Sequence, residues 1–277
     1  MAVNDILFAL TSYPEPTPLS VVKRAITVAS TLGAHIAALS CEMRVEVPGH
    51  FVSGALVGLP GIIAGERAKS RKNAEDLVAA FESEAARAGV SFESIRQACN
   101  PAERAEVLVE YARLRDLTII PESGDRWIAE GLIFGSGRPT LILPQHSGPG
   151  PFALGTVVVA WDFSRAAARA VSDALPLLER SAEVRVVSVL NEKHFDRKHS
   201  AEELSKNLSR HGIDVVLDRI DAGGKKIGSV LDDYVESHAA DLLVMGAYGH
   251  SRLREFVLGG ATRSLLSKPP LPILFSH

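Results

Sequence analysis

Glycines 246, 249, 259 and 260 punctuate the stretch Met245-Gly-Ala-Tyr-Gly-His-Ser-Arg-Leu-Arg-Glu-Phe-Val-Leu-Gly-Gly-Ala-Thr262, and their spacing suits an anion. Gly246 ends an apolar run and Gly249 lies inside the turn after it. At both, the missing Cβ lets backbone N–H groups approach a charged guest and permits positive φ. Gly259 and Gly260 come just before Ala261 to Leu266, a segment expected to be helical, whose first turn offers unpaired N–H groups and a positive dipole end. Two cradles thus converge on one connection, and His250, Arg252, Arg254 and Arg263 make it electropositive. A phosphate is the natural guest. Turn formation alone would explain a lone glycine pair, but the pattern here is longer than a pair.

Other chemistries lack their residues. Gly223-Gly-Lys-Lys226 has neither the upstream glycine nor the hydroxyl of a GxxxxGK[ST] loop, and no GxGxxG follows a first strand. GxSxG, HExxH and clustered Cys/His spacings are also missing. The nine histidines are scattered, and His194, His199 and His211 read as surface residues, with the His194/His199 pair the nearest approach to a metal site. No nucleophile and base pair can be nominated, so at most a slow hydrolysis of a phosphate-bearing guest is expected, for which Asp162 or Glu255 is the available metal-binding acid.

The elements that must position this loop follow from periodicity. Thr156 to Ala160 reads as a strand, Ser164 to Arg180 as a helix, Val184 to Leu190 as a buried strand and Ile213 to Ile220 as an edge strand. Asp241 to Met245 and Leu271 to Phe275 complete five strands. Ile227, Val230, Leu231, Tyr234, Val235 and His238 form the stripe of a helix packed on a sheet. The same order occurs earlier in the chain. The strands are Ile6 to Leu10, His35 to Met43, Val90 to Arg96, Leu117 to Ile120 and Thr140 to Leu143, with helices over Leu19 to Leu32, Ala64 to Ala88 and Ala102 to Leu114. The expected fold is α/β, two tandem doubly wound five-stranded parallel sheets. The division is residues 1–144, a Pro/Gly-rich linker over 145–155, and residues 156–277. The halves differ between their fourth and fifth strands, where the C-terminal half spends extra, glycine-rich residues at the carboxyl edge at which such folds bind ligands.

The stretch from Val244 to Thr262 resembles the phosphate-binding signature of the universal stress protein family, with Gly246, Gly249 and Gly259 in register. The preceding strand and the turn Trp161-Asp-Phe-Ser164 resemble the family as well, so the whole chain looks like a tandem member. The resemblance implies adenine-nucleotide binding (ATP, ADP or AMP, with Mg for ATP) in the C-terminal half. It places the nucleoside on Asp162 and on the backbone at Val189. It places the phosphates on Met245, Gly246, Gly249, His250, Arg252, Gly259, Gly260, Ala261 and Thr262. It also implies that the two halves pair through their fifth strands. Gly260 departs from the pattern, because Ser or Thr directly follows the third glycine in nucleotide-binding members. A lost hydrogen bond to a charged group costs about 1.5 to 3 kcal/mol.

The N-terminal half departs further. Pro121 replaces the first glycine, Glu122 puts a negative charge where a phosphate would sit, and Thr11-Ser12 lacks the acid. Phe134-Gly-Ser-Gly-Arg-Pro139 runs straight into a strand and reads as a turn. This half is expected to be a degenerate copy, structural or partner-binding.

Composition bounds the rest. The 277 residues suit two domains of about 130 to 140. With 46% hydrophobic residues and a net charge of −3, the chain can fill real cores and lacks a field for nucleic acid or an anionic membrane. Two cysteines without CxxC spacing argue for a reducing compartment. Neither a basic leader nor eighteen consecutive apolar residues are visible, so a cytoplasmic protein is expected. The apolar, glycine-rich segment 51–63 is expected to cover a groove or form a homodimer contact. The functional expectation is a nucleotide-binding sensor or regulator of a stress response acting with a protein partner; the alternative is an interaction scaffold of the same fold that binds no nucleotide.

Overall fold

A computed structural model of the chain describes residues 2–43, 59–122, 126–145, 150–190, 200–247 and 260–277. The N-terminal half comprises β1 (Asp5–Leu10), α1 (Leu19–Leu32), β2 (His35–Met43), α2 (Leu59–Ala88), β3 (Phe92–Cys99), α3 (Arg104–Arg113), β4 (Leu117–Pro121), α4 (Arg126–Gly135) and β5 (Thr140–Leu143). The C-terminal half repeats that order as β6 (Thr156–Ala160), α5 (Arg165–Leu178), β7 (Glu183–Leu190), α6 (Ser200–Ser209), β8 (Val215–Asp221), α7 (Ile227–Ser237), β9 (Leu242–Gly246), α8 (Gly260–Ser267) and β10 (Ile273–Ser276).

All ten strands form one sheet in the order β3-β2-β1-β4-β5-β10-β9-β6-β7-β8. Every neighbouring pair is parallel except β5 and β10. These meet antiparallel with Ile142 opposite Ile273, Leu141 opposite Leu274 and Thr140 opposite Phe275. The expected pairing of fifth strands is therefore the seam of the molecule. Strand sequences match their places. The central strands are apolar runs, with β1, β4 and β5 buried almost throughout, whereas β3 and β8 at the two ends alternate between covered and open positions.

Side chains of alternate parity fill two cores, one on each face of the sheet. One core draws on α1, α2, α5 and α6 through residues such as Val21, Phe81, Ala170 and Leu204. The other draws on α3, α4, α7 and α8 through Leu108, Leu132, Leu231 and Leu265. Both cores run across the seam.

Two helices are absent from the sequence reading. In α4, which ends where the expected turn begins, Gly135 lets the helix lie close on α3: a Cβ on Gly135 would stand 3.2 Å from the Val109 side chain. Among the residues of α6 whose burial is described, only Ala201, Leu204 and Leu208 are buried, too narrow a stripe to stand out. The turn expected after Phe134 is present, with Ser136 Oγ donating to Leu132 O at 2.6 Å and Gly137 at φ 69°. Within the span 145–155, Phe152 and Leu154 are buried, and Leu154 O and Gly155 O accept from the N–H groups of Ala182 and Glu183 at 2.9 and 2.8 Å. The segment 51–63 lies outside the described residues except for 59–63, which begin α2. His194 and His199 also lie outside them. Among the described residues no helix is long and apolar enough to cross a membrane.

Candidate nucleotide site

In the C-terminal half the chain leaves β6 through α5 to β7 on one side, then returns from β8 through α7 to β9 on the other side of β6. The two crossover helices lie in opposite layers. The carboxyl ends of β6 and β9 therefore open a crevice at a topological switch point, the place where open α/β sheets bind ligands.

The turn Asp162-Phe163-Ser164 forms one lip. Asp162 Oδ1 accepts from Ser164 N–H at 2.9 Å, and Ser164 Oγ caps α5 by accepting from Ala167 N–H at 3.0 Å. Phe163 between them is left-handed at φ 61°. Asp162 is thus a turn former whose partly exposed carboxylate is fixed in direction at the mouth of the crevice. Beside it stands an aromatic pair that the sequence reading did not single out, buried Trp161 edge-on to exposed Phe163 at 6.0 Å. Its signal is the pair of rings flanking the acid.

Val189 lies at the adjoining strand end. Trp161 N–H donates to Val187 O at 2.8 Å, the last β6–β7 ladder bond among the described residues. Strand alternation then turns the peptide groups of Val189 to the same side, beyond the end of β6. On the other side Val189 is in register with Ile220. The sequence-predicted nucleoside residues Asp162 and Val189 are therefore brought together on neighbouring strand ends.

The other lip is the end of β9. The Met245 side chain is buried in the core shared with α7 and α8, so only its backbone can serve a guest. A Cβ on Gly246 would lie 2.3 Å from Ala167 N and 2.4 Å from the Ala166 carbonyl carbon. Glycine is required there for the N-terminus of α5 to pack against β9, a reason the sequence reading did not contain. Ala247 continues the ladder by donating to Ser276 O at 2.8 Å, and its carbonyl meets His277 Nδ1 at 3.0 Å. The His277 ring lies edge-on to Phe134 of α4, 4.7 Å between centres, tying the start of the glycine connection to the N-terminal half.

Gly249, His250, Arg252 and Gly259 lie outside the described residues. The chain is described again from Gly260, the first residue of α8. Ala261 packs on α7, its Cα being 3.3 Å from where a Cβ on Gly228 would be; Thr262 is buried, and Arg263 is exposed. The connection from β9 to β10, residues 247–272, is eight residues longer than its counterpart 122–139.

At the matching edge of the N-terminal half the polar groups bind one another. Glu122 N–H donates to Leu143 O at 2.7 Å, while its Oε2 accepts from Gln145 N–H at 3.1 Å and its carbonyl from Gln145 Nε2 at 2.7 Å. The end of β1 is tied similarly, Ser12 Oγ donating to Cys41 O and Thr17 Oγ1 accepting from Thr11 N–H, both at 2.9 Å.

The fold defines a class of protein, a ten-stranded sheet built from two doubly wound α/β halves joined edge to edge, with a topological switch point in the second. Residues 154–277, a little under half of the chain, match the Universal stress protein family. Universal stress protein Slr1230 of Synechocystis is 51% identical over 41 residues, 15% of this chain and 14% of that relative's length. A universal stress protein structure from Archaeoglobus fulgidus aligns with 100% of this chain and 99% of its own at TM-score 0.75 and 17% identity, a likeness of fold. Some universal stress proteins bind adenine nucleotides, one having been solved in complex with cAMP and one, from Archaeoglobus fulgidus, with dAMP; these align with 52% and 51% of this chain at 19% and 14% identity and TM-scores of 0.37 and 0.33.

Proposed function

We propose that the C-terminal half binds one adenine nucleotide, ATP, ADP or AMP, in the crevice between β6 and β9, and that the N-terminal half binds none. The observation that carries this reading is the juxtaposition at one switch point of an oriented carboxylate, the outward peptide groups of Val189 and the departing end of β9. A carboxylate beside a strand-end peptide suits the hydroxyls and ring edge of a nucleoside. The glycine connection that follows supplies backbone donors for phosphates. Mg²⁺ accompanies ATP through the phosphates. Ligation serves regulation, toward a protein partner in the cytoplasm, in preference to turnover.

Calorimetric titration of the full chain with ATP, ADP and AMP tests this, and one site per chain is expected. Gly260→Ser restores the hydroxyl next to the third glycine and is expected to tighten binding by roughly ten- to a hundredfold, the equivalent of about 1.5 to 3 kcal/mol. Two sites per chain would reassign the N-terminal half. No heat with any of the three, in wild type or Gly260→Ser, would reject nucleotide binding.

A further inference from the structure

Among the described residues two that are not glycine have left-handed backbones, Ala239 at φ 46° and Phe163 at φ 61°. Ala239 directly follows the C-cap of α7, a place where a left-handed residue closes a helix routinely. Phe163 closes no helix. It lies between the end of β6 and Ser164, the N-cap of α5, in the turn whose Asp162 Oδ1 accepts from Ser164 N–H at 2.9 Å. A bulky residue is disfavoured there, because its Cβ crowds the following carbonyl, and glycine would make the same turn without that cost. The ring is also 44% exposed, whereas phenylalanine is mostly an interior residue. It meets buried Trp161 edge-on, 6.0 Å between centres at 86°, a contact of the same order as the backbone cost. That contact about offsets the strain, so the pair fixes the ring in one direction without making it a core residue.

Strained backbone concentrates where a fold presents a side chain to a guest, and Phe163 stands at the switch point between β6 and β9. Charge decides which end of a nucleotide lies against it. The Asp162 carboxylate repels phosphates from this lip, so they lie towards the end of β9 and the nucleoside lies here. Consecutive Cα atoms are about 3.8 Å apart, so a nucleoside held by Asp162 has its base within reach of the neighbouring ring. The peptide groups of Val189 on the adjoining strand end suit the edge of a heteroaromatic base. An aromatic side chain suits its face.

We infer that the Phe163 ring is the platform on which the base stacks, and that it favours purine over pyrimidine nucleotides; the inference rests on the nucleotide reading of this crevice. A purine lays two fused rings on the platform and a pyrimidine one, so the larger base gains more contact. The ring is held before the guest arrives, by the turn bond at Asp162, by the Ser164 cap on Ala167 N–H at 3.0 Å and by Trp161. Little side-chain freedom is then lost on stacking. Glycine at 163 would give an easier turn and a weaker site.

The test is calorimetric titration of the full chain with AMP and with UMP, for wild type, Phe163→Ala, Phe163→Gly and Phe163→Tyr, together with denaturation midpoints in the absence of nucleotide. Wild type is expected to bind AMP more tightly than UMP. Phe163→Ala and Phe163→Gly should each weaken AMP by roughly five- to a hundredfold, the range for one base stacked on one aromatic ring, and narrow the preference over UMP. Phe163→Tyr keeps both affinity and preference. Phe163→Gly should unfold at a higher midpoint than Phe163→Ala, because both lack the ring and only alanine keeps the strain. AMP bound equally well by wild type and Phe163→Ala, or an unchanged preference over UMP in that variant, would overturn the inference while leaving nucleotide binding in place. Equal midpoints for the glycine and alanine variants would show an unstrained backbone and remove its premise. No heat with either nucleotide in wild type would reject the nucleotide reading itself, and this inference with it.

Discussion

A methyl group on Gly246 would sit 2.3 Å from the Ala167 nitrogen and 2.9 Å from the Ala166 Cβ. Neither neighbour can retreat, because Ala167 N–H is held by the Ser164 cap and both alanines are buried in the first turn of α5. Gly246→Ala is therefore expected to destabilise the apo protein by about 1 to 3 kcal/mol, the usual cost of overpacking, read as a lower denaturation midpoint in the absence of nucleotide. An unchanged midpoint would show that α5 can shift away from β9. The spacing of Gly246, Gly249 and Gly259 was legible because glycine marks backbone approach, but the sequence does not say which backbone approaches which. At 246 the approaching backbone is the protein's own. Asp162 was equally ambiguous, since one residue type serves both a turn and a ribose, and here its Oδ1 is engaged by the turn.

Elements with a wide apolar stripe or a continuous apolar run were readable, α1 and β2 to the residue. Elements whose stripe is narrow or whose glycines face a partner helix, α6 and α4, were not. Edge strand β8 shows how such marginal elements are held. Arg185 on β7 donates to Asp218 Oδ2 on β8 at 2.8 Å, and Arg185 Nε donates to the Tyr234 hydroxyl of α7 at 2.9 Å. That hydroxyl in turn donates to Asp218, while the Tyr234 ring stacks on His238 at 4.1 Å. Burial, with the hydrogen bond to Asp218, pushes the tyrosine up from 10.0 to about 12. The folded state thus binds the phenolic proton more tightly than the unfolded state. The resulting stability is complete below pH 10 and is lost as pH rises towards 12. Tyr234→Phe removes both hydrogen bonds and is expected to cost about 1 to 3 kcal/mol at neutral pH. Its unfolding midpoint should fall less steeply than that of wild type over the alkaline range. Parallel alkaline slopes for the two proteins would mean that Tyr234 does not carry the linkage.

The seam between the halves belongs to the scale of the whole molecule. Strands β5 and β10 are four residues each, too short to hold two domains by backbone bonds alone, yet Ile273, Leu274 and Phe275 are exposed by 0%, 1% and 0%. Leu274 enters one core and Ile273 and Phe275 the other, so the seam closes both layers at once. Its existence was legible only through the resemblance and through the liability of an apolar edge. Its antiparallel sense and the contact of α4 with α8 needed coordinates. Separating the halves would bare three large side chains, each worth about 1.5 to 3 kcal/mol of burial, along with an open ladder edge. An isolated fragment of residues 150–277 has one way to cover this edge with its own surface, antiparallel pairing of β10 with β10 of a second copy about a two-fold axis. Sedimentation of that fragment is expected to show a dimer, and Leu274→Arg in the same fragment a monomer or an aggregate, because the charge would fall in the shared core. The full chain already spends β10 on β5 and should not gain this dimer. A monomeric wild-type fragment would mean that the edge is covered from within its own half, and that fusion of the two halves, more than pairing of their edges, holds the molecule together.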